Sequence, residues 1–296
     1  MVSFLPAWIK GILGFTLWTL NTAFWCVFIY IVAVFKLIIP INGFRKVCTD
    51  IMIVFAEIWI DGNGRLTHFL HKIRFDIQGV EGLDRNASYL VCANHQSWID
   101  ITFLQYVFNR RIPFMRFFLK KELMYVPFLG IAWWALDFPF MQRFSKEYLE
   151  KHPDMRGKDL ETTRKACAKF QGSRISIINF LEGTRFTKAK HDAQKSPYKN
   201  LLKPKTGGIA FVIDAMGPQF KSLLDVTLFY PEGARSLWEL FSGRVNEVVV
   251  RVRQLEIPQD MLGGNYLEDE AYRERLQEWL RTLWKEKDDL LSELAH

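Results

Sequence analysis

The sequence predicts an α/β protein, a mixed sheet flanked by helices, with an N-terminal membrane-embedded helical segment. Three observations carry this reading. From Gly11 to Phe35 the chain runs 25 residues without a charge. From residue 74 onward, short β-rich runs alternate with helical patterns, the arrangement expected of a sheet with helices packed on it. Two of those runs end in turns that carry a histidine, carboxylates and an arginine, "NHQSWID" and "LEGTR", and in such sheets chemistry gathers where strands end.

The charge-free run, "GILGFTLWTLNTAFWCVFIYIVAVF", would extend about 37 Å as a helix at about 1.5 Å per residue, enough to cross a bilayer with some tilt. It ends in Lys36 and "IIP" rather than at a small-residue cleavage site, so it reads as a retained transmembrane helix and not a signal peptide. Lys36, Arg45, Lys46 and Arg65 follow it, whereas Lys10 precedes it. That bias places the main domain in the cytoplasm. A second segment, "VCTDIMIVFAEIWI" (47–60), is interrupted by Asp50 and Glu57 and reads as an interfacial or hairpin helix. The apolar stretch 123–141 contains Pro127, Gly130, Asp137 and Pro139, which argues for a buried or membrane-apposed surface instead of a span.

After a turn signal at "DGNG" (61–64), "IRFDIQG" alternates like an exposed strand and "SYLVCAN" reads as a fully buried one. A helix is expected from Ser97 or Trp98 to about Phe108. Further strands are expected at 174–183, 223–231 and 245–257, with helices at 160–171 and 207–216. The last helix, about 267–294, would set Tyr272, Leu276, Trp279, Leu283, Leu290 and Leu294 on one docking face with charges outward. The layout divides into membrane-anchoring helices (1–70), a catalytic domain (71–266) and a C-terminal amphipathic helix (267–296).

Charge narrows the partners. The net charge is +7, but residues 267–296 hold nine acids and five bases, leaving the rest at about +11, a balance suited to anionic partners. Between Arg185 and Lys205 lie seven bases (Arg185, Lys188, Lys190, Lys195, Lys199, Lys203 and Lys205) and one acid, Asp192. No aromatic-interleaved basic platform accompanies them, so nucleic acid is disfavoured. The four cysteines are widely spaced and show no C-x-x-C pattern, which suggests neither disulfides nor zinc. The oligomeric state is left open.

His95 sits where a buried strand gives way to a helix, and Asp100 would fall in that helix's first turn, tilted back toward its start. Such a contact fixes the imidazole tautomer and stabilises the imidazolium, the equipment of a general base. No G-x-S-x-G accompanies it, so the group deprotonated is expected to be the substrate's own. In "NFLEGTR", Gly183 permits a tight turn and Arg185 offers a fork suited to phosphate.

Together, H-x-x-x-x-D at 95–100 and "FLEGTR", with its Glu182 87 residues after His95, resemble the membrane glycerolipid acyltransferases, which include the PlsC-type 1-acylglycerol-3-phosphate acyltransferases. The resemblance spans roughly 75–255 and extends to "FLKKELMYVPFLG" and "FMQR". The N-terminal segment and "LQEWLRTLWKEKDDLL" look like the bacterial inner-membrane YihG-type branch. One departure is "LLKPKTGG", where many members show Phe-Lys-x-Gly. The resemblance implies a glycerolphosphate acyltransferase-like fold and transfer of a fatty acyl group from acyl-CoA or acyl carrier protein to a lysophospholipid, 1-acyl-glycerol-3-phosphate first, without a cofactor. In that scheme His95 is the base and Asp100 orients it. Glu182, Gly183, Thr184 and Arg185 hold the glycerol phosphate with Arg143 as a second clamp, and backbone N–H groups after His95 or the Lys121 ammonium meet the oxyanion. The 123–141 stretch would receive the acyl chain, so a bulky residue at Gly130 should shorten it. A non-catalytic lipid-binding scaffold, or a lipid or thioester hydrolase using the same pair, are the competing readings.

Overall fold

In the computed structural model, which describes residues 4–141, 167, 169–170, 172–266 and 268–296, the charge-free run forms helix α1 (Ala7–Ile38) and is followed by helix α2 (Asn42–Leu70). The helices run antiparallel: Asn21 bonds Asn63 at 2.9 Å, and Arg45 near the start of α2 reaches the Lys36 carbonyl at 3.2 Å. This is the hairpin alternative for the second segment, but "DGNG" is not a turn. Residues 61–64 lie inside α2, because the side chains of Asp61 and Asn63 find partners on neighbouring helices. Asn63 is 5% exposed and meets Asn21, while Asp61 accepts from Asn109 at 2.6 Å.

Helix α1 is fastened along its length to the rest of the molecule. The phenol of Tyr30 bonds the Phe128 carbonyl, and the Lys36 amine reaches Asp137 at 2.6 Å. At the other end, Phe15 and Trp18 meet Phe241 edge to face. The opposite side of α1 is bare, with Ile12, Phe24, Ile31 and Phe35 all at least half exposed.

The sheet is built from β1 (Arg74–Gln78), β2 (Ser88–Ala93), β3 (Met115–Phe117), β6 (Ser176–Phe180), β7 (Phe220–Phe229) and β8 (Glu247–Leu255). A separate parallel pair joins β4 (Leu119–Lys120) to β5 (Phe140–Met141). The main sheet has the order β1-β8-β7-β2-β6-β3, and among the described strands only β7–β8 is antiparallel. The mixed α/β fold is therefore present. Central strand β2 is buried at every position because alternate side chains enter different cores. Tyr89, Val91 and Ala93 join α3 (Ile99–Phe108), whereas Leu90 and Cys92 join α6 (Thr206–Met216) and α8 (Glu270–Leu294), which the short helices α5 (Lys188–Gln194) and α7 (Leu237–Phe241) precede in turn.

Short β3, β4 and β5 were not anticipated from the sequence, and the helix expected at 160–171 falls largely outside the described residues. Between β4 and β5 the chain makes a 3-10 turn (Lys121–Tyr125) and helix α4 (Leu129–Ala135). Here Gly130 is required by close approach: a Cβ would lie 2.0 Å from the Met124 carbonyl oxygen. A bulky residue there would break the turn and could not serve as a gauge of chain length.

The buried stripe of α8 is Tyr272, Leu276, Leu280, Leu283, Trp284, Lys287, Asp288 and Leu291, rotated from the face read off the sequence. Leu290 and Leu294 are half-buried. The rotation follows from two charges that turn inward because partners await them. Lys287 is fully buried and meets Asp225 at 2.8 Å, and Asp288 accepts the backbone N–H groups of Lys199 and Asn200, each at 2.7 Å.

Candidate active site

The parallel register of β2 and β6 sets Ala93 opposite Phe180, so His95 and Glu182, each two residues further on, arrive side by side. The His95 N–H donates to Glu182 Oε1 at 2.8 Å, and the His95 carbonyl accepts from the Phe186 N–H at 2.7 Å. The two motif turns are thus tied together through backbone. Asn94 fixes the same strand end to β7, its side-chain amide exchanging bonds of 2.9 and 2.8 Å with the Leu228 carbonyl and N–H.

His95 Nδ1 lies 2.8 Å from Asp100 Oδ2, and Asp100 is wholly buried in the first turn of α3. An ionised carboxylate only accepts, so the neutral ring carries its proton on Nδ1 and leaves the Nε2 lone pair free. The ring is stacked on Phe180, centroids 4.0 Å apart, and its side chain is 14% exposed. Asp100 Oδ2 also accepts the N–H groups of Gln96 at 2.6 Å and Ser97 at 2.8 Å. Its other oxygen accepts from the Tyr230 hydroxyl at 2.6 Å.

Those bonds correct one expectation. The N–H groups just after His95 are committed to Asp100 and are not donors for an oxyanion. Lys121 is also displaced: both lysines are exposed, but Lys120, at the end of β4, lines the space beside His95, while Lys121 opens the 3-10 turn. In "FLKK" nothing but strand register distinguishes the two lysines.

Glu182 is corrected as well. It is fully buried, with Oε1 on the His95 N–H and Oε2 on the Leu202 N–H at 3.1 Å, so it braces the turn and is closed to a ligand. Burial pushes its carboxyl up to about 7 against the pull of those two N–H bonds. Gly183 follows at φ +66°, a left-handed conformation that glycine adopts without a steric cost. Thr184 Oγ1 accepts from Lys190 Nζ at 2.8 Å, and the Arg185 guanidinium lies 4.6 Å over the Trp98 ring. Arg143 lies outside the described residues.

His95, Trp98, Lys120, Phe180, Thr184 and Arg185 border a cavity of about 410 Å³. A second, largely apolar cavity of about 630 Å³ shares Trp98, Ile101, Phe117, Leu119 and Leu123 with it and reaches Phe15 and Trp18 of α1. The site therefore sets a base and cations in one cavity beside a largely apolar one. Sequence reasoning missed Tyr230, Asn94 and Lys120. The signal for Tyr230 was its place at the end of the β7 run, just before Pro231.

Comparison with known proteins places the chain in a family. The family model described as Acyltransferase matches residues 74–229. The chain is 29% identical over 185 residues to the 1-acyl-sn-glycerol-3-phosphate acyltransferase gamma of Homo sapiens, covering 58% of this chain and 43% of that protein. It is 25% identical over 256 residues to the 2-acyl-1-lysophosphatidylinositol acyltransferase of Saccharomyces cerevisiae, covering 70% of this chain and 61% of that one. The chain thus spans about half the length of the curated relatives it matches. The fold is shared with the crystal structure of the 1-acyl-sn-glycerophosphate (LPA) acyltransferase PlsC from Thermotoga maritima, at a TM-score of 0.58, 15% identity and coverage of 97% and 98% of the two chains. Since the match at 74–229 takes in more than half of the 296 residues, including both motif turns, the chain belongs to the acyltransferase family.

Proposed function

We propose that this protein transfers a fatty acyl group from the thioester of acyl-CoA or acyl carrier protein to the free hydroxyl of a lysophospholipid, with 1-acyl-glycerol-3-phosphate as the preferred acceptor. The observation that carries the reading is the imidazole held by Asp100 in the wall of a cationic cavity that shares Trp98, Ile101, Phe117, Leu119 and Leu123 with an apolar one. His95 Nε2 takes the hydroxyl proton as the oxygen attacks the thioester carbon. The tetrahedral intermediate's oxyanion meets the Lys120 ammonium, and such a donor commonly supplies about 3–4 kcal/mol of transition-state stabilisation. Collapse expels the thiolate, which takes the proton back from the imidazolium, leaving an ester and a free thiol. No step passes through a metal or redox cofactor.

Arg185 and Thr184 border the cavity where the glycerol phosphate would sit, with Arg143 as the second clamp. The acyl chain would lie in the apolar cavity, each buried CH₂ contributing about 0.8 kcal/mol. The lysine-rich stretch 188–205 attracts an anionic donor or headgroup. The bare side of α1 would lie in the lipid while its opposite side rests on the sheet domain, a membrane attachment that presents acceptors to His95. The finer placement, in a bacterial inner membrane with the catalytic domain cytoplasmic and kinship to the YihG-type branch, rests on the flanking bases and the C-terminal helix sequence.

The test is turnover of purified protein with labelled acyl thioesters against a panel of lysophospholipids. Arg185→Ala should raise the KM for phosphate-bearing acceptors by roughly ten- to a hundredfold, the worth of a charge-assisted bond of about 1.5–3 kcal/mol, with less change in donor KM. Equal effects on donor and acceptor would argue against the assignment. Leu123→Trp, at a residue that borders both cavities, should shift preference to shorter acyl chains. An unchanged chain-length profile would remove the apolar cavity from the account.

A further inference from the structure

We infer that Tyr230 is a positioning residue for the proposed reaction, its hydroxyl fixing the Asp100 carboxylate and thereby the orientation and basicity of His95. The inference rests on the reading of His95 as the base and adds the residue that tunes it. Three donors converge on Asp100 Oδ2: His95 Nδ1 and the N–H groups of Gln96 and Ser97. Among the described residues, the donor on Oδ1 is Tyr230, at 2.6 Å. Without it, one oxygen of a fully buried carboxylate would lack a partner and the group could rotate, trading the oxygen that His95 uses.

The strand end that carries Tyr230 is set independently. Leu228, two residues earlier, exchanges both its backbone groups with the side chain of Asn94, the residue before His95. Tyr230 is 3% exposed, with its ring 6.2 Å from that of Phe103 on α3. Burial and the neighbouring carboxylate hold its phenol well above the ordinary range, so it stays a donor throughout an assay. The other charged groups near the imidazole approach from different elements. Glu182 touches its backbone, Lys120 and Arg185 line the cavity, and Lys205 packs beside Gly183.

A donor withdraws charge from Asp100. Removing it leaves the carboxylate more able to stabilise imidazolium, so His95 should hold its proton to higher pH. The experiment is Tyr230→Phe, which keeps the ring, read in two ways: the His95 titration followed directly by NMR, and the pH dependence of kcat/KM. The inference predicts that both midpoints rise by about 0.5–1 unit, that kcat falls several-fold and that acceptor KM stays put. Phe103→Leu serves as the control, loosening the same packing with the hydroxyl retained, and should leave both midpoints in place. A wild-type midpoint in Tyr230→Phe, whatever its melting temperature, overturns the inference, as does an equal shift in Phe103→Leu. Because the NMR titration needs no turnover, an absence of His95-dependent transfer in the wild type would sink the proposed reaction without touching the tuning by Tyr230.

Discussion

His95→Ala is expected to lower acyl transfer by about 10²–10⁴-fold, the usual worth of a positioned general base, with little change in melting temperature. Among the described residues that border the cavity, the imidazole is the group whose free nitrogen can accept a proton, and its loss leaves the hydroxyl to attack unaided. The fold should survive because His95 holds its neighbours through backbone, by its N–H to Glu182 and its carbonyl to Phe186. The ring stacks on Phe180, and the Asp100 carboxylate that loses Nδ1 keeps the Gln96 and Ser97 N–H groups and the Tyr230 hydroxyl. Acceptor KM should change less than kcat, since phosphate contacts come from other residues. A variant that kept more than a tenth of wild-type turnover would remove His95 from the chemistry.

Asp225→Ala is expected to be the most damaging single change to stability, costing about 3–5 kcal/mol by the usual penalty for breaking a buried ion pair. Asp225 is 2% exposed and accepts from Lys287 at 2.8 Å and from Arg253 at 2.6 and 3.0 Å. Arg253 would keep Glu286, but among the described residues the wholly buried Lys287 amine would retain the Val226 carbonyl, the Thr227 hydroxyl and the face of Trp284, with no counter-charge of its own. Burial already holds that amine below its ordinary pKa, and Asp225 is the largest opposing influence. With Asp225 gone, the folded-state value falls further below the unfolded one. Between the two values the unfolded chain binds more protons, so stability rises with pH. Chemical denaturation should therefore show a loss that shrinks from neutral toward alkaline pH. A loss under about 1 kcal/mol, flat with pH, would contradict this view of how α8 is held.

The elements that the sequence announced were those whose periodicity reports one environment. Buried β2, the His95-to-helix junction and the long apolar α1 are of this kind. What it concealed depended on partners distant along the chain. "DGNG" carries the composition of a turn, yet Asp61 and Asn63 find Asn109 and Asn21 and stay helical. Lys287 and Asp288 read as solvent-facing until Asp225 and the 199–200 backbone claim them. The site shows the same division. His95 and Asp100 lie five residues apart and were legible as a contact. Tyr230 meets Asp100 across 130 positions, and Glu182 carries a charge that suggested a ligand contact until its two backbone partners accounted for both oxygens.

The central claim is that the imidazole activates a lipid alcohol and not water. It is tested most directly by incubating the purified protein with a labelled acyl thioester and vesicles containing 1-acyl-glycerol-3-phosphate, then separating the labelled lipids. The account predicts label in the diacylated phospholipid, formed in step with free thiol and dependent on the acceptor. Label appearing as free fatty acid at a rate indifferent to the acceptor would contradict it.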